Sequence, residues 1–311
     1  MTKPQNRTVN DQPLATAAEN RDRFQEAYTA SLRLWPVPYE TVYVPTRFGQ
    51  THVVTCGRED APPLVLLHGA MFSSTMWYPN VEAWSESYRI YAIDIIGDKN
   101  LSIPEAGCAS RAEYAAWLLE VWDALGIHKP NLLGLSLGGM HALNLLVRAP
   151  ERIERAVILS PAESLVPLHP DFYSHAFGLL QPDGDVRFLE WMFADRYLLP
   201  RPFLEQFRAA IAWRDEARSG LPKENGFPYV YTDEELQSIR VPLLLMWGEN
   251  EVIYDPRSAM ERAGRLIPEA QTILVPQAGH VLSMESAAYV NQAASDFFKG
   301  TRPSPPALPP A

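Results

Sequence analysis

The sequence predicts an α/β fold: a mostly parallel, doubly wound sheet into which a block of helices is inserted. Three observations predict it. The runs Leu64-Val65-Leu66-Leu67, Ile90-Tyr91-Ala92-Ile93, Ala156-Val157-Ile158-Leu159 and Leu243-Leu244-Leu245-Met246 are short and continuously apolar, as strands buried on both faces are. Helical patterns alternate with these runs, giving the βαβ rhythm of a parallel sheet with right-handed crossovers. Between residues 161 and 235 the rhythm stops, and aromatic-rich helical patterns punctuated by prolines replace it.

Each element follows in turn. Residues 1–20 are polar and read as a disordered N-terminal arm without the apolar core of a signal peptide. Residues 21–34 form a helical pattern, stopped by Trp35-Pro36-Val37-Pro38. Residues 39–44 and 51–56 alternate as two strands around the turn Phe48-Gly49-Gln50. The first buried run ends in His68-Gly69-Ala70-Met71, and the second ends at Asp94. Ser110-x-x-Glu113 is a capping box, opening a helix that Gly126 closes. Leu132-Leu133-Gly134-Leu135 is the next strand, followed at once by a helix that ends at Ala149-Pro150. The helical insertion, a cap over the sheet, takes residues 161–235. The core occupies residues 21–160 and 236–300. Its last parts are the strand at Leu243-Leu244-Leu245-Met246, a helix with Asp255 as N-cap and Pro256 as first residue, the strand Thr272-Ile273-Leu274-Val275, and a helix over 287–298. Residues 301–311 are a Pro-rich tail.

Composition narrows the function. The chain has 311 residues, 47% hydrophobic and 21% charged, enough for a sizeable core. A net charge of −10 argues against nucleic acid or an anionic membrane as partner. No apolar run approaches the roughly 18 residues of a membrane span. Cys56 and Cys108 read as two separate reduced thiols, and the expected location is the cytoplasm.

The chemistry centres on Gly134-Leu135-Ser136-Leu137-Gly138. In strand–turn–helix context a serine between two glycines sits at the tip of a strained turn, where only small neighbours let strand and helix approach. The Leu137 N–H, at the helix start, then points at an incoming carbonyl oxygen. A serine hydroxyl needs a base within hydrogen-bond reach. His52, His128, His169 and His175 read as surface or cap residues, and His141 points away from the turn. His280 sits in a loop after a strand end and follows every acidic candidate, the chain order of serine, acid, histidine. Glu249, Glu251 and Asp255 all follow one strand and are candidates for the acid. No metal-binding pattern, phosphate loop or dinucleotide fingerprint is present, so neither metal nor cofactor is expected.

These residues resemble the α/β-hydrolase superfamily in its capped esterase and lipase-like branch. The resemblance runs from His68-Gly69, through Asp94-x-x-Gly97 and the serine turn, to Gly248-Glu249-Asn250-Glu251 and Gly279-His280, covering roughly residues 40–300. It implies Ser136 as nucleophile, His280 as general base and Glu251 as the acid. It also implies an oxyanion hole from the N–H groups of Ala70 and Leu137, with Met71 as second choice to Ala70. Two departures stand out: glutamate at 251 where the family usually has aspartate, and a loop after Asp94 that is longer and lacks its second glycine. Asp94 itself reads as structural. The activity implied is hydrolysis of a small carboxylic ester through an acyl-enzyme. The same triad also serves lactone, amide and carbon–carbon hydrolysis, and a non-catalytic binder can share the fold. Met71, Phe72, Phe177 and Trp191 are expected to line an apolar substrate pocket. The partner is then a small-molecule ester, with no nucleic acid or membrane, and the oligomeric state is left open.

Overall fold

A computed structural model of the chain describes residues 16–193, 199–213 and 229–306. Helix α1 (Ala17–Leu32) opens with a reciprocal capping box between Thr16 and Glu19. The helix therefore begins inside the segment expected to be a disordered arm. A Thr-x-x-Glu pattern satisfies two of the N–H groups that a helix start leaves open, which is why it can begin there. The remainder of that arm, residues 1–15, lies outside the described residues, as do residues 307–311 of the tail.

Strands β1 (Tyr39–Thr46) and β2 (Gly49–Cys56) pair antiparallel with Thr46 opposite Gly49, so Arg47 and Phe48 form the turn. Strand β3 (Pro63–Leu67) is followed by α2 (Val81–Ser85), β4 (Arg89–Ile93) and the short β5 (Ile103–Pro104). Helix α3 (Arg111–Ala124) has the Ser110–Glu113 capping box, and Gly126 behind it has φ +69. Strand β6 (Asn131–Leu135) leads directly into α4 (Leu137–Arg148), and β7 (Arg155–Leu159) follows. The chain then leaves the sheet through α5 (Pro170–Gly178), α6 (Gly184–Met192) and α7 (Arg201–Ala212) and returns by α8 (Asp233–Ser238). This excursion is the region expected as a cap over 161–235, of which residues 194–198 and 214–228 lie outside the described residues. Strand β8 (Leu243–Gly248), α9 (Pro256–Leu266), β9 (Ala270–Val275), α10 (Leu282–Glu285) and α11 (Ala287–Phe298) complete the described chain. Asp255 caps α9 by accepting the N–H groups of Arg257 and Ser258.

Among the described residues the sheet has nine strands in the order β1-β2-β4-β3-β6-β7-β8-β9, with β5 beside β2. Pairing is antiparallel among β1, β2 and β4 and parallel from β4 through β9. Helices α3 and α4 cover one face and α2 and α11 the other, so the central strands are buried on both sides. Their continuous apolar sequences follow from that double burial. The strand order reverses between β3 and β6, and in open α/β sheets ligands bind beyond the carboxyl ends of the strands at such a point.

One buried polar pair departs from expectation. His52, read as a surface or cap residue, is buried in β2, with Nδ1 3.0 Å from Asp94 Oδ2. Asp94 also accepts the N–H groups of Ser74 at 2.8 Å and Leu101 at 3.2 Å. It thus ties β4 to the loops flanking the cleft, a structural task.

Candidate active site

Ser136 joins β6 to α4 with φ 53 and ψ −112, a backbone conformation that costs a non-glycine residue on the order of 1–3 kcal/mol. Its surroundings hold it there. The Ser136 N–H donates to the Leu159 carbonyl at 3.0 Å, and the Ser136 carbonyl accepts from Met140 at 2.9 Å and Ala162 at 3.0 Å. The flanking glycines permit the close approach: a Cβ at Gly138 would lie 2.0 Å from the Leu67 oxygen, and one at Gly134 2.4 Å from the Gly138 oxygen. Leu137 is the first residue of α4, so its N–H has no acceptor within the helix.

The loop leaving β3 faces this turn. Gly69 accepts the Phe72 N–H at 3.1 Å, and Met71 inside that turn has φ 65. Asp98, from the loop that departs from the family pattern, accepts the Met71 N–H at 2.8 Å. Met71, the second choice for an oxyanion donor, therefore has its N–H engaged, whereas no hydrogen bond among the described residues claims that of Ala70. Burial works to raise the Asp98 carboxyl, and it stays above its ordinary range despite the opposing pull of His68 and the Met71 N–H.

His280, which lines the same cavity as Ser136, meets Glu251. His280 Nδ1 lies 2.9 Å from both Glu251 oxygens, and both side chains are buried. A carboxylate can only accept, so Nδ1 carries the proton and Nε2 is left with a lone pair. Glu251 Oε1 also accepts the N–H groups of Val252 at 2.9 Å and Ile253 at 3.1 Å. Burial pushes the Glu251 carboxyl up, but His280 and the Ile253 N–H outweigh it and hold the group below its ordinary range. The two other acids after β8 face elsewhere. Asp255 caps α9, and Glu249 pairs with Arg257 at 3.5 Å.

A residue the sequence reading passed over holds the histidine loop. Glu285 accepts the N–H of Gly279 at 2.8 Å and of Val281 at 3.2 Å, straddling His280. Burial pushes its carboxyl up to about 7. Its only sequence signal is a carboxylate five residues beyond the histidine.

Ser136 and His280 open into one cavity of about 290 Å³ with an almost wholly apolar wall. The sheet side supplies Gly69, Ala70, Met71 and Phe72, and the inserted helices supply Phe172, Ala176, Leu179, Phe188 and Met192. Of the four residues expected to line an apolar pocket, Met71 and Phe72 lie in this wall, and Phe177 and Trp191 lie outside it. Phe177 is 76% exposed on the outer side of α5, while Trp191 stacks on His175 with ring centres 4.1 Å apart. For Phe177 the reason is helical phase: Phe172 and Ala176 share one face of α5, Leu179 just past its end continues that face, and Phe177 lies off it. Among the described residues no cluster of three or more His, Cys, Asp or Glu side chains could hold a metal ion. No helix among them is long and apolar enough to cross a membrane.

The arrangement can activate a hydroxyl, accept its proton on a ring nitrogen and receive negative charge on backbone N–H groups, all beside an apolar pocket. Comparison with known proteins agrees with this architecture. A protein of Bacillus subtilis (strain 168) called uncharacterized carboxylesterase nap is 55% identical over 281 residues, 90% of this chain and 94% of that protein. Carboxylesterase YbfK of the same organism is 50% identical over 292 residues, 94% of this chain and 99% of the relative. The crystal structure of naproxen esterase (carboxylesterase NP) from Bacillus subtilis superposes with a TM-score of 0.87 at 56% identity, covering 90% of this chain and 98% of that one. The profile of the alpha/beta hydrolase fold matches residues 62–287, and the chain belongs to that family.

Proposed function

We propose that the protein is a serine hydrolase that cleaves a small, uncharged carboxylic ester through an acyl-enzyme. In this reading Ser136 Oγ attacks the ester carbonyl while His280 Nε2 takes its proton. Glu251 holds the ring in the required tautomer and offsets its positive charge. The N–H groups of Ala70 and Leu137 receive the oxyanion. His280 then protonates the departing alcohol, and water, activated by the same ring, releases the acid. No cofactor takes part.

The observation that carries this reading is the convergence of the strained Ser136 and the Glu251-bonded His280 on one apolar cavity. The relatives called carboxylesterases, matched over nine-tenths or more of this chain, support the choice of an ester over other acyl bonds. The lining supports an apolar substrate, since a charged group there would lose its hydration without a partner. Met71 and Phe72 are the proposed contacts on the sheet side, with Phe172, Phe188 and Met192 opposite. The test is a panel of p-nitrophenyl esters of rising acyl length, with the matching anilides and lactones. Turnover of esters well above the others supports the proposal, and preference for an anilide or lactone rejects it. The unpaired thiols Cys56 and Cys108 fit a reducing compartment, and we place the enzyme in the cytoplasm, which fractionation of the native cells would check.

A further inference from the structure

The loop from Gly69 to Met76 carries two non-glycine residues in the left-handed region, Met71 at φ 65 and Ser73 at φ 56. Backbone of this kind keeps its shape only where surrounding groups over-determine it. Asp98 fixes the first of these residues from below through the Met71 N–H. The second is fixed from above, by the inserted helix α7.

Helix α7 turns Phe203, Phe207 and Ala210 inward, and among them stands Gln206, only 1% exposed. A buried amide is unfavourable unless its hydrogen bonds are made. Those of Gln206 end on this one loop. Nε2 donates to Ser73 Oγ at 2.6 Å and, more weakly, to the Phe72 carbonyl at 3.4 Å, while Oε1 accepts from Thr75 Oγ1 at 2.8 Å. The rings of Phe203 and Phe207 stand 5.5 and 5.6 Å from that of Phe72, so the same helix packs the loop as well as bonding it. Ala70 lies two residues before Phe72, within the turn these contacts anchor.

We propose that Gln206 is a positioning residue for the oxyanion hole: through Phe72, Ser73 and Thr75 it fixes the aim of the Ala70 N–H. The proposal rests on the reading of Ala70 as an oxyanion donor in ester hydrolysis. It makes the inserted helices part of the catalytic geometry and not only a wall of the pocket. Substrate in its ground state meets the loop only through the apolar side chains of Met71 and Phe72, whose non-directional contacts tolerate a small shift. The tetrahedral oxyanion depends on the loop's aim directly, and a displacement near 1 Å can cost about 100-fold in rate.

The experiment compares wild type with Gln206→Leu, which keeps the bulk and removes the bonds, and with Ser73→Ala, which removes the shortest bond from the loop side. Active sites are titrated with a fluorophosphonate so that unfolded protein does not count. Three quantities are measured: kcat and KM on p-nitrophenyl butyrate, the affinity of an alkyl trifluoromethyl ketone, and that of the matching methyl ketone. In the trifluoromethyl ketone complex, Ser136 Oγ bonds to the carbonyl carbon, its proton passes to His280, and the carbonyl π pair becomes the oxyanion. Gln206→Leu should lower kcat about 10- to 100-fold with KM within about threefold, and Ser73→Ala should lower it less. Trifluoromethyl ketone affinity should fall by the same factor as kcat/KM, and methyl ketone affinity should hold. Equal weakening of both ketones, or kcat within twofold of wild type, would overturn the proposal. Should Gln206→Leu fail to fold, Ser73→Ala decides by the same criteria. A wild type that neither cleaves the ester nor prefers the trifluoromethyl ketone would overturn the hydrolase reading, and this proposal with it. Normal wild-type behaviour with indifferent variants would overturn this proposal alone.

Discussion

Replacing Glu251 by glutamine removes one charge and almost no volume, so its effect isolates what the carboxylate does for His280. Two backbone donors, the N–H groups of Val252 and Ile253, converge on Oε1 at 2.9 and 3.1 Å. They require an acceptor, so the oxygen of the new amide takes the Oε1 position and its NH2 takes that of Oε2. That NH2 then faces Nδ1, 2.9 Å away. The amide oxygen is equally near Nδ1 but has its two lone pairs occupied by the Val252 and Ile253 N–H groups, so the ring turns an acceptor nitrogen to the NH2 and carries its proton on Nε2. It can no longer take the Ser136 proton. The wrong tautomer in a serine triad costs on the order of 10⁴ in kcat, or about 5 kcal/mol in the barrier. KM should change little, because the apolar lining is untouched. Initial rates on p-nitrophenyl butyrate measure this, with circular dichroism to verify folding. A folded Glu251→Gln enzyme that keeps more than about a tenth of wild-type kcat would refute the argument.

Other expectations are equally specific. Glu285 has its folded pKa raised to about 7 from 4.5, so its contribution to stability is full below 4.5 and is lost as pH rises through 7, by up to about 3 kcal/mol. Glu285→Gln should therefore gain stability relative to wild type between pH 5 and 8 in urea titrations, and a constant difference across that range would contradict the assignment. Glu251, held below its ordinary range, runs the opposite way: its contribution is present above 4.5 and is lost as pH falls through its folded value. Asp255→Asn should cost little in either rate or Tm, because asparagine caps a helix nearly as well, and a crippled variant would move the acid from Glu251 to Asp255. Phe188→Ala and Phe172→Ala should lower kcat/KM for octanoate esters more than for acetate, with Phe177→Ala as the unaffected control. Equal loss across chain lengths would make these residues packing alone. Gly138→Ala forces its Cβ to 2.0 Å from the Leu67 carbonyl oxygen and should lower stability by about 1–3 kcal/mol, read by chemical denaturation.

How much of this was legible in the sequence depends on how local each signal is. The serine turn was legible because Gly134 and Gly138 are needed within five residues of each other. The strands were legible because burial on both faces writes a continuous apolar run. His280 was placed by its strand end and chain order and Glu251 by the family resemblance, and they meet at 2.9 Å. The helix start at Ala17 was missed although its Thr16–Glu19 capping box is as local as the one at Ser110. The lining of the pocket was not legible for a different reason. Helix α5 carries aromatics on its outer side as well as its inner, so periodicity alone could not tell Phe172 from Phe177. Gln206, Asp98 and Glu285 bond to the loops beside Ser136 and His280, in the first two cases loops remote in sequence. Nothing adjacent to a polar residue of this kind announces such a partner.

The central claim is that Ser136 becomes covalently acylated during turnover. The most direct measurement is labelling with a fluorophosphonate, in which Ser136 Oγ bonds to phosphorus and fluoride departs, followed by peptide mass spectrometry and residual esterase assay. The account predicts one label per chain, on the peptide containing Ser136, with activity lost in proportion to labelling and no label on Ser136→Ala. Full esterase activity in unlabelled, folded protein after exposure to excess probe, or a label on another serine that tracks the loss of activity, would contradict it.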